Sequence, residues 1–384
     1  MKLITHEIGS LAKPSWRVKP LRGIKISSYD IEDAERWGKF LEIDERSELF
    51  EILSKRENFK EEEKERIIYF SSLYAVRMLE KAGLDLVYDG EQHRIEMYEY
   101  PVRRIEGFEF KGHVRSFDNK YYRKASLISK PKLKEFYHDK EFERISSFAK
   151  KPVKIPVTGA YTIVDWSCDE YFLKDIKPGE GDIREKRRSA RREFLLYIAR
   201  NVIHPVLKSL YEKGARYLQI DEPAVTTKRD EIDLFVLAMK ESIGDLKEKV
   251  FFATHICFSD YFLLFPLIEE LEGTLKEIHF EYANRDSREL GVSSKKRKGY
   301  KILEKFKNNK FIVGLGVIDV HADFIEPPEL VRDRILYALD IIQEPERIYV
   351  APDCGLRTRT WDVAFKKLQN LVEGKYLAEK EARL

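Results

Sequence analysis

The feature that most limits how this chain can fold is an alternation. Eight short β-branched or apolar runs each end in polar or glycine-bearing residues, and stretches of helical length lie between them. In order the runs are KLITHEIGS (2–10), LDLVYDGE (84–91), VKIPVTGA (153–160), ARYLQIDEP (215–223), KVFFATHIC (249–257), LKEIHFEYA (275–283), KFIVGLGVID (310–319) and ERIYVAPDCG (346–355). Intervening segments such as IREKRRSARREFLLYIARNVIHPVLKSLYEKG read as helices, and further helices are predicted near 261–272, 296–309, 327–343 and 361–380. Strands alternating with helices require a parallel sheet. Eight such units predict an α/β fold of one closed (βα)8 TIM barrel.

Two regions read as insertions into that barrel: a partly helical stretch at 15–58 after the first strand, and a β-hairpin at 101–130 after the second. The hairpin is predicted from GFEFKGHVRSF and KYYRKASLI on either side of a polar FDN turn. An open doubly wound sheet would carry a G-x-G-x-x-G fingerprint after its first strand, and none is present. With no internal repeat or low-complexity linker, residues 1–384 are expected to form a single catalytic domain.

Composition excludes several function classes. Lysine plus arginine (70) nearly balances aspartate plus glutamate (67), so a strongly basic nucleic-acid surface is not expected. Charged residues reach 36%, a density that points to surface ion-pair networks of a heat-adapted kind. The longest apolar stretch, YFLLFPLI at 261–268, is interrupted by Pro266 and too short to span a bilayer. No signal peptide is evident at MKLITHEIGS. Three widely spaced cysteines, at 168, 257 and 354, do not make a disulfide framework, and a cytoplasmic protein is expected.

In such a barrel the chemistry sits where the strands end. Those ends carry Gly9-Ser10, Glu91, Asp221-Glu222, His255 with Cys257, Glu281 and Asp353-Cys354, and His321 follows the seventh strand closely. His255 and Cys257 are two apart, so both side chains leave the same strand face and can reach one ion. Zinc suits a mixed nitrogen and thiolate set, and Glu281 and Cys354 would complete a four-coordinate shell. The competing reading makes Cys257 a small buried hydrophobe and His255 a core histidine. Cys168, in WSCDEY, has no neighbouring ligand and reads as a bystander. A shell with two thiolates and a carboxylate is a poor generator of hydroxide but suits activation of a further thiol. Alkyl transfer to a thiol is therefore favoured over hydrolysis.

The strand-end strings resemble those of cobalamin-independent methionine synthase, specifically its catalytic C-terminal barrel. The stretches that carry the resemblance are EIGS (7–10), DGE (89–91) followed by Arg94 and Met97, PVTGAYTIVDWS (156–167), LQIDEPA (218–224), THIC (254–257), Glu281 in HFEYANRD, GVIDVH (316–321) and PDCGLRTRTW (352–361). They run in family order from residue 7 to residue 361.

The resemblance implies zinc on His255, Cys257, Glu281 and Cys354. It implies that Ile8, Gly9 and Ser10, with Glu91 and Asp221, hold the amino and carboxyl groups of L-homocysteine. It gives His321 the role of proton donor to the departing methyl carrier and makes Trp166 one wall for a flat pterin. The residues also allow Glu91 and Asp221 to be mouth ion pairs with Arg94 or a lysine, His321 to cap the helix near Pro327, and Trp166 to be core.

The familiar enzyme carries a second, N-terminal barrel; here the IGS strand starts at residue 8, and that barrel is expected to be absent. The segment SFDNKYYRK also matches poorly where folate enzymes make pterin contacts. The expected donor is thus a methyl-pterin or a methyl-corrinoid, delivered free, on a corrinoid protein or by a separate N-terminal-type barrel chain. No nucleic-acid or membrane partner is expected. The alternatives are alkyl transfer to another thiol such as coenzyme M, and a non-catalytic binding protein stabilised by zinc.

Overall fold

The computed structural model describes residues 2–115, 121–176 and 182–384. In chain order the elements begin with β1 (Ile4–Thr5), α1 (Ser15–Leu21), α2 (Ser28–Phe40), α3 (Arg46–Ser54), α4 (Glu61–Ala82), α5 (Glu99–Val102), β2 (Ile105–Arg115) and β3 (Tyr121–Leu133). There follow α6 (Asp139–Phe148), β4 (Lys154–Thr158), α7 (Ala160–Asp165), β5 (Cys168–Asp169), α8 (Ile183–Ile198), α9 (His204–Glu212), β6 (Tyr217–Asp221) and α10 (Ile232–Ile243). The chain closes with β7 (Phe251–Ile256), β8 (Glu277–Phe280), β9 (Ile312–Ile318), α11 (Pro328–Ile342), β10 (Ile348–Pro352) and α12 (Trp361–Ala382).

Seven strands form one parallel sheet in the order β1-β10-β9-β8-β7-β6-β4. The segment expected to be strand two is not a full strand. Leu86 pairs in parallel with His6, next to β1, and Val87 pairs in parallel with Val153, next to β4. The Val87 N–H donates to the Pro152 carbonyl at 3.0 Å, and the Lys154 N–H donates to the Val87 carbonyl at 2.9 Å. Both edges of the curled sheet therefore reach the same two residues. The residues of β4 are all buried, which is why the strands read as apolar runs rather than as strict alternations.

Helix α4 shows how the sequence sets the outer layer. Three glutamates open it, where the helix dipole favours negative charge, and Gly83 closes it at φ 94°. Its buried stripe includes Ile67, Phe70, Leu73, Met78 and Leu79. Between β1 and α4 lie α1–α3, in the predicted 15–58 stretch.

The expected hairpin is an antiparallel β2–β3 pair with two register shifts, and Gly107 at φ 93° sits at the first of them. Its predicted FDN turn lies outside the described residues. The short β5 adds in parallel to β3, which the sequence did not reveal.

Other differences have local causes. The long helix read across 183–214 contains a π turn at Ala199–Ile203 just before Pro205, which has no N–H to continue the α ladder. The helices expected at 261–272 and 296–309 are 3-10 segments, Tyr261–Leu264, Leu267–Leu271 and Lys298–Phe306, and Pro266 separates the first two. Among the described residues no helix is long and apolar enough to cross a membrane.

Candidate active site

Register places three functional positions in one line across the sheet. Asp221 pairs with His255, and His255 with His279, so the ends of β6, β7 and β8 present these side chains at one level. Cys257 follows two residues beyond His255, and Cys354 follows β10. Ligand atoms of His255, Cys257 and Cys354 all lie within 4.8 Å of one another, and His255 Nε2 is 3.4 Å from Cys354 Sγ. His255 and Cys257 are buried, Cys354 half-buried.

Glu281, the fourth expected ligand, stands next to this trio but does not join the 4.8 Å group. Its Oε2 accepts hydrogen bonds from the Phe258 N–H (3.2 Å) and from Asn284 Nδ2 (3.0 Å). Its Oε1 is buried without a hydrogen bond and faces His321 Nε2 at 3.4 Å. The loop after β8 is organised by Asp353. One carboxylate oxygen accepts from the Tyr282 and Ala283 N–H groups, both at 2.9 Å, and the other from the Asn284 N–H at 2.6 Å. Burial pushes Asp353 up to about 7, against those three donors.

The donor set fits a metal ion. The Cys257 thiol, by its hydrogen bond first and burial second, pushes Cys354 well above the ordinary thiol range. A divalent cation would reverse that penalty by stabilising both thiolates, and it would also satisfy the Glu281 oxygen that has no hydrogen bond. Burial opposes charge on His255, but Cys354, Asp221 and Glu281 outweigh it and raise the ring above its ordinary value.

The residues expected to hold an amino acid converge beside this cluster. A Cβ on Gly355 would lie 2.5 Å from Ser10 Oγ, so Gly355 lets Ser10 press against the turn that carries Cys354. A Cβ on Gly9 would lie 3.8 Å from Glu91 Oε1. Glu91 is buried with a left-handed backbone, φ 61°, a conformation held against local preference. It lies 3.7 Å from Arg94, so the ion-pair reading is realised there. Asp221 instead accepts a hydrogen bond from Gln219 Nε2 at 2.7 Å, and the same nitrogen donates to the Ile8 carbonyl at 2.8 Å. Burial pushes Asp221 up to about 6, with His255 pulling the other way.

His321 does not cap α11, whose N-cap is Pro327. Its ring packs edge-on against Phe258 at 4.6 Å, and Phe258 itself has φ 52°. The Glu281 contact raises His321 above the ordinary imidazole value. Trp166 is half-buried and meets Tyr98 and Tyr122, with ring centroids 6.0 and 6.1 Å apart, so it joins the hairpin to the end of α7.

Sequence reasoning missed His279, Gln219, Lys154, Asn284 and Phe258. His279 had a usable signal, since it precedes Glu281 by two residues as His255 precedes Cys257. A second trio, His93, His138 and Glu141, also lies within 4.8 Å. There Arg94 enters the cluster, 3.0 Å from Glu141 and 3.3 Å from His138 Nδ1. With Asp89 on His93 Nδ1 at 3.1 Å, that charge balance closes without a metal.

The family model for cobalamin-independent synthase, catalytic domain, matches residues 44–375. A methionine synthase from Thermoplasma volcanium is 37% identical over 388 residues, covering 97% of each chain. The chain belongs to the cobalamin-independent methionine synthase family. A methionine synthase from Pyrococcus horikoshii is 33% identical over 380 residues, covering 99% of this chain and 94% of its own. Among solved structures, a B12-independent methionine synthase from a Shewanella species, in complex with selenomethionine, aligns with a TM-score of 0.73 at 20% identity, covering 100% of this chain and 99% of that one. That likeness is one of fold. It agrees with the curled parallel sheet described above.

Proposed function

We propose that this chain methylates the thiol of L-homocysteine to give L-methionine at a zinc centre formed by His255, Cys257, Glu281 and Cys354. The observation that carries the reading is the meeting of an imidazole and two thiols within 4.8 Å, beside a buried carboxylate with an unsatisfied oxygen. As a member of the family the chain is a methyltransferase. The sheet is read as a closed (βα)8 barrel within a single domain, because Leu86 and Val87 link its two edges. Two cysteines, one buried and one half-buried, kept as free thiols for a metal suit a reducing, cytoplasmic setting.

Bound zinc supplies a positive charge that lowers the pKa of a substrate thiol, so that the thiolate exists at neutral pH. The remaining work falls to the chain. Glu91 and Asp221 present carboxylates to the substrate ammonium, and the Ile8-Gly9-Ser10 strand end offers N–H groups and a hydroxyl to its carboxylate. The substrate sulfur takes the methyl group as its bond to the carrier breaks. His321, half-exposed and raised above its ordinary value, then gives a proton to a departing pterin. Trp166 is proposed as a wall for that pterin. The methyl donor is a methyl-pterin or a methyl-corrinoid, free or on a partner chain.

The test is a donor screen on zinc-loaded protein with L-homocysteine, alongside X-ray absorption at the zinc edge. Methionine formation and an added sulfur in the metal shell are expected. Activity with coenzyme M but none with homocysteine, or a metal shell indifferent to homocysteine, would overturn the reading.

A further inference from the structure

A polar chain runs through the floor of the barrel beneath the proposed amino-acid pocket. Lys154, on β4, is buried together with Gln219, on β6. Lys154 Nζ donates to Gln219 Oε1 at 2.7 Å and to the Glu7 carbonyl, and lies 3.0 Å from His6 Nδ1. His6 Nε2 in turn meets Glu277 at 3.0 Å. An ammonium has three hydrogens and no acceptor, so Lys154 can only face the oxygen of the Gln219 amide. That settles which way the amide points. Both hydrogens of its nitrogen are then committed, one to the Ile8 carbonyl at 2.8 Å and one to Asp221 Oδ1 at 2.7 Å.

We infer that Gln219, locked by Lys154, is a positioning residue that makes the pocket select a thiol bearing an α-amino group. The inference rests on the proposed function and deepens it. Two acceptors on one amide nitrogen are held on the order of 5 Å apart, a spacing that also suits two hydrogens of one ammonium. Gln219 thus ties the first strand end to the sixth. It also occupies Asp221 Oδ1, which leaves Oδ2 for an incoming donor. A free Asp221 carboxylate would turn toward whichever cation was nearest, and the Ile8 carbonyl would lose its tie across the barrel. The selectivity is therefore prepared before the substrate arrives.

The experiment compares binding of L-homocysteine with binding of 4-mercaptobutanoate, which has the thiol and carboxylate but no amino group. Calorimetry on zinc-loaded protein provides the readout. In the native chain homocysteine is expected to bind more tightly. In Gln219→Met, which keeps length and removes both donors, that preference should shrink about tenfold, because homocysteine loses more affinity than mercaptobutanoate, with zinc content nearly unchanged. Lys154→Met should act in the same direction, and Gln219→Met carries the test alone if that variant does not fold. Equal weakening of both thiols, or no change in their ratio, would overturn the inference. A native chain that binds homocysteine no better than mercaptobutanoate would overturn it while leaving thiol methylation standing. Binding of neither thiol would remove the functional reading as well.

Discussion

His279 places its Nδ1 2.8 Å from the Nδ1 of His255. Burial, with His255 and His6 nearby, holds His279 well below the ordinary imidazole value, so its ring is neutral and its Nδ1 can accept. With a metal on its Nε2, His255 would keep one proton, on Nδ1, and donate it to His279. That is the tautomer a metal ligand requires. Replacing His279 with alanine should weaken zinc binding about 10- to 100-fold. Glutamine, which retains an acceptor, should recover part of the loss. A chelator competition titration measures both, and unchanged affinity in the alanine variant would show that His279 only fills space.

The cysteines should separate cleanly. Cys257→Ser and Cys354→Ser each remove a thiolate from the buried cluster and are expected to lose most of the bound zinc and at least about 100-fold in homocysteine methylation. Cys168 is exposed on the short β5, and Cys168→Ser should leave both quantities unchanged. Metal analysis of the purified native chain should give one zinc per chain, not two, because the Arg94 guanidinium already contacts both His138 and Glu141 and supplies that cluster's positive charge. A second equivalent that disappears in His93→Ala would refute that assignment.

Much of this site was readable from sequence because its residues come from strand ends. A period-two strand fixes which side chains share a face, so His255 with Cys257 could be paired without coordinates, and the order of strings supplied Glu281 and Cys354. The strand-two region was less legible: LDLVYDGE has strand composition, yet only Leu86 and Val87 pair. Lys154, Gln219 and His279 were passed over because a polar residue inside a parallel strand looks like an isolated exception. Its partners lie on other strands, more than 60 residues away for Lys154 and Gln219. Glu281 was expected in the metal group and stands just outside it, tied by Phe258 and Asn284 instead. Those ties depend on loop geometry that no spacing encodes.

Gly316 explains how Asp353 reaches the loop after β8. A methyl group there would collide with Asp353 Oδ1 and lie 2.9 Å from the Phe280 carbonyl. Gly316→Ala should therefore displace the carboxylate that holds the Tyr282, Ala283 and Asn284 N–H groups. The expected cost is about 2–3 kcal/mol of stability, with weaker zinc retention because Glu281 begins that loop. Asp353→Asn keeps the volume but turns an amide NH2 toward a backbone N–H donor, and should lose both metal affinity and stability. Denaturant unfolding and chelator competition on both variants test this. An alanine variant with native stability would show that the loop holds without Asp353.

Asp30 caps α2 in a capping box with Ser27, and its buried carboxylate also accepts from Ser15 and Lys19. Burial alone would raise its pKa, but hydrogen bonds from Lys19, Ser15 and Ser27 outweigh that and bring it to about 2, from an ordinary 3.8. A depressed folded value means the folded state holds its proton less tightly than the unfolded chain. The contribution is therefore fully present above about pH 4 and is lost as pH falls through about 2. Its size is about 2 kcal/mol. Asp30→Ala should be less stable than the native chain by at least that amount at pH 6, and the gap should narrow sharply by pH 2. Denaturant unfolding of metal-free protein at both pH values isolates the effect from acid release of zinc. A gap that stays constant across the range would show that Asp30 acts through packing and neutral hydrogen bonds, not through its charge.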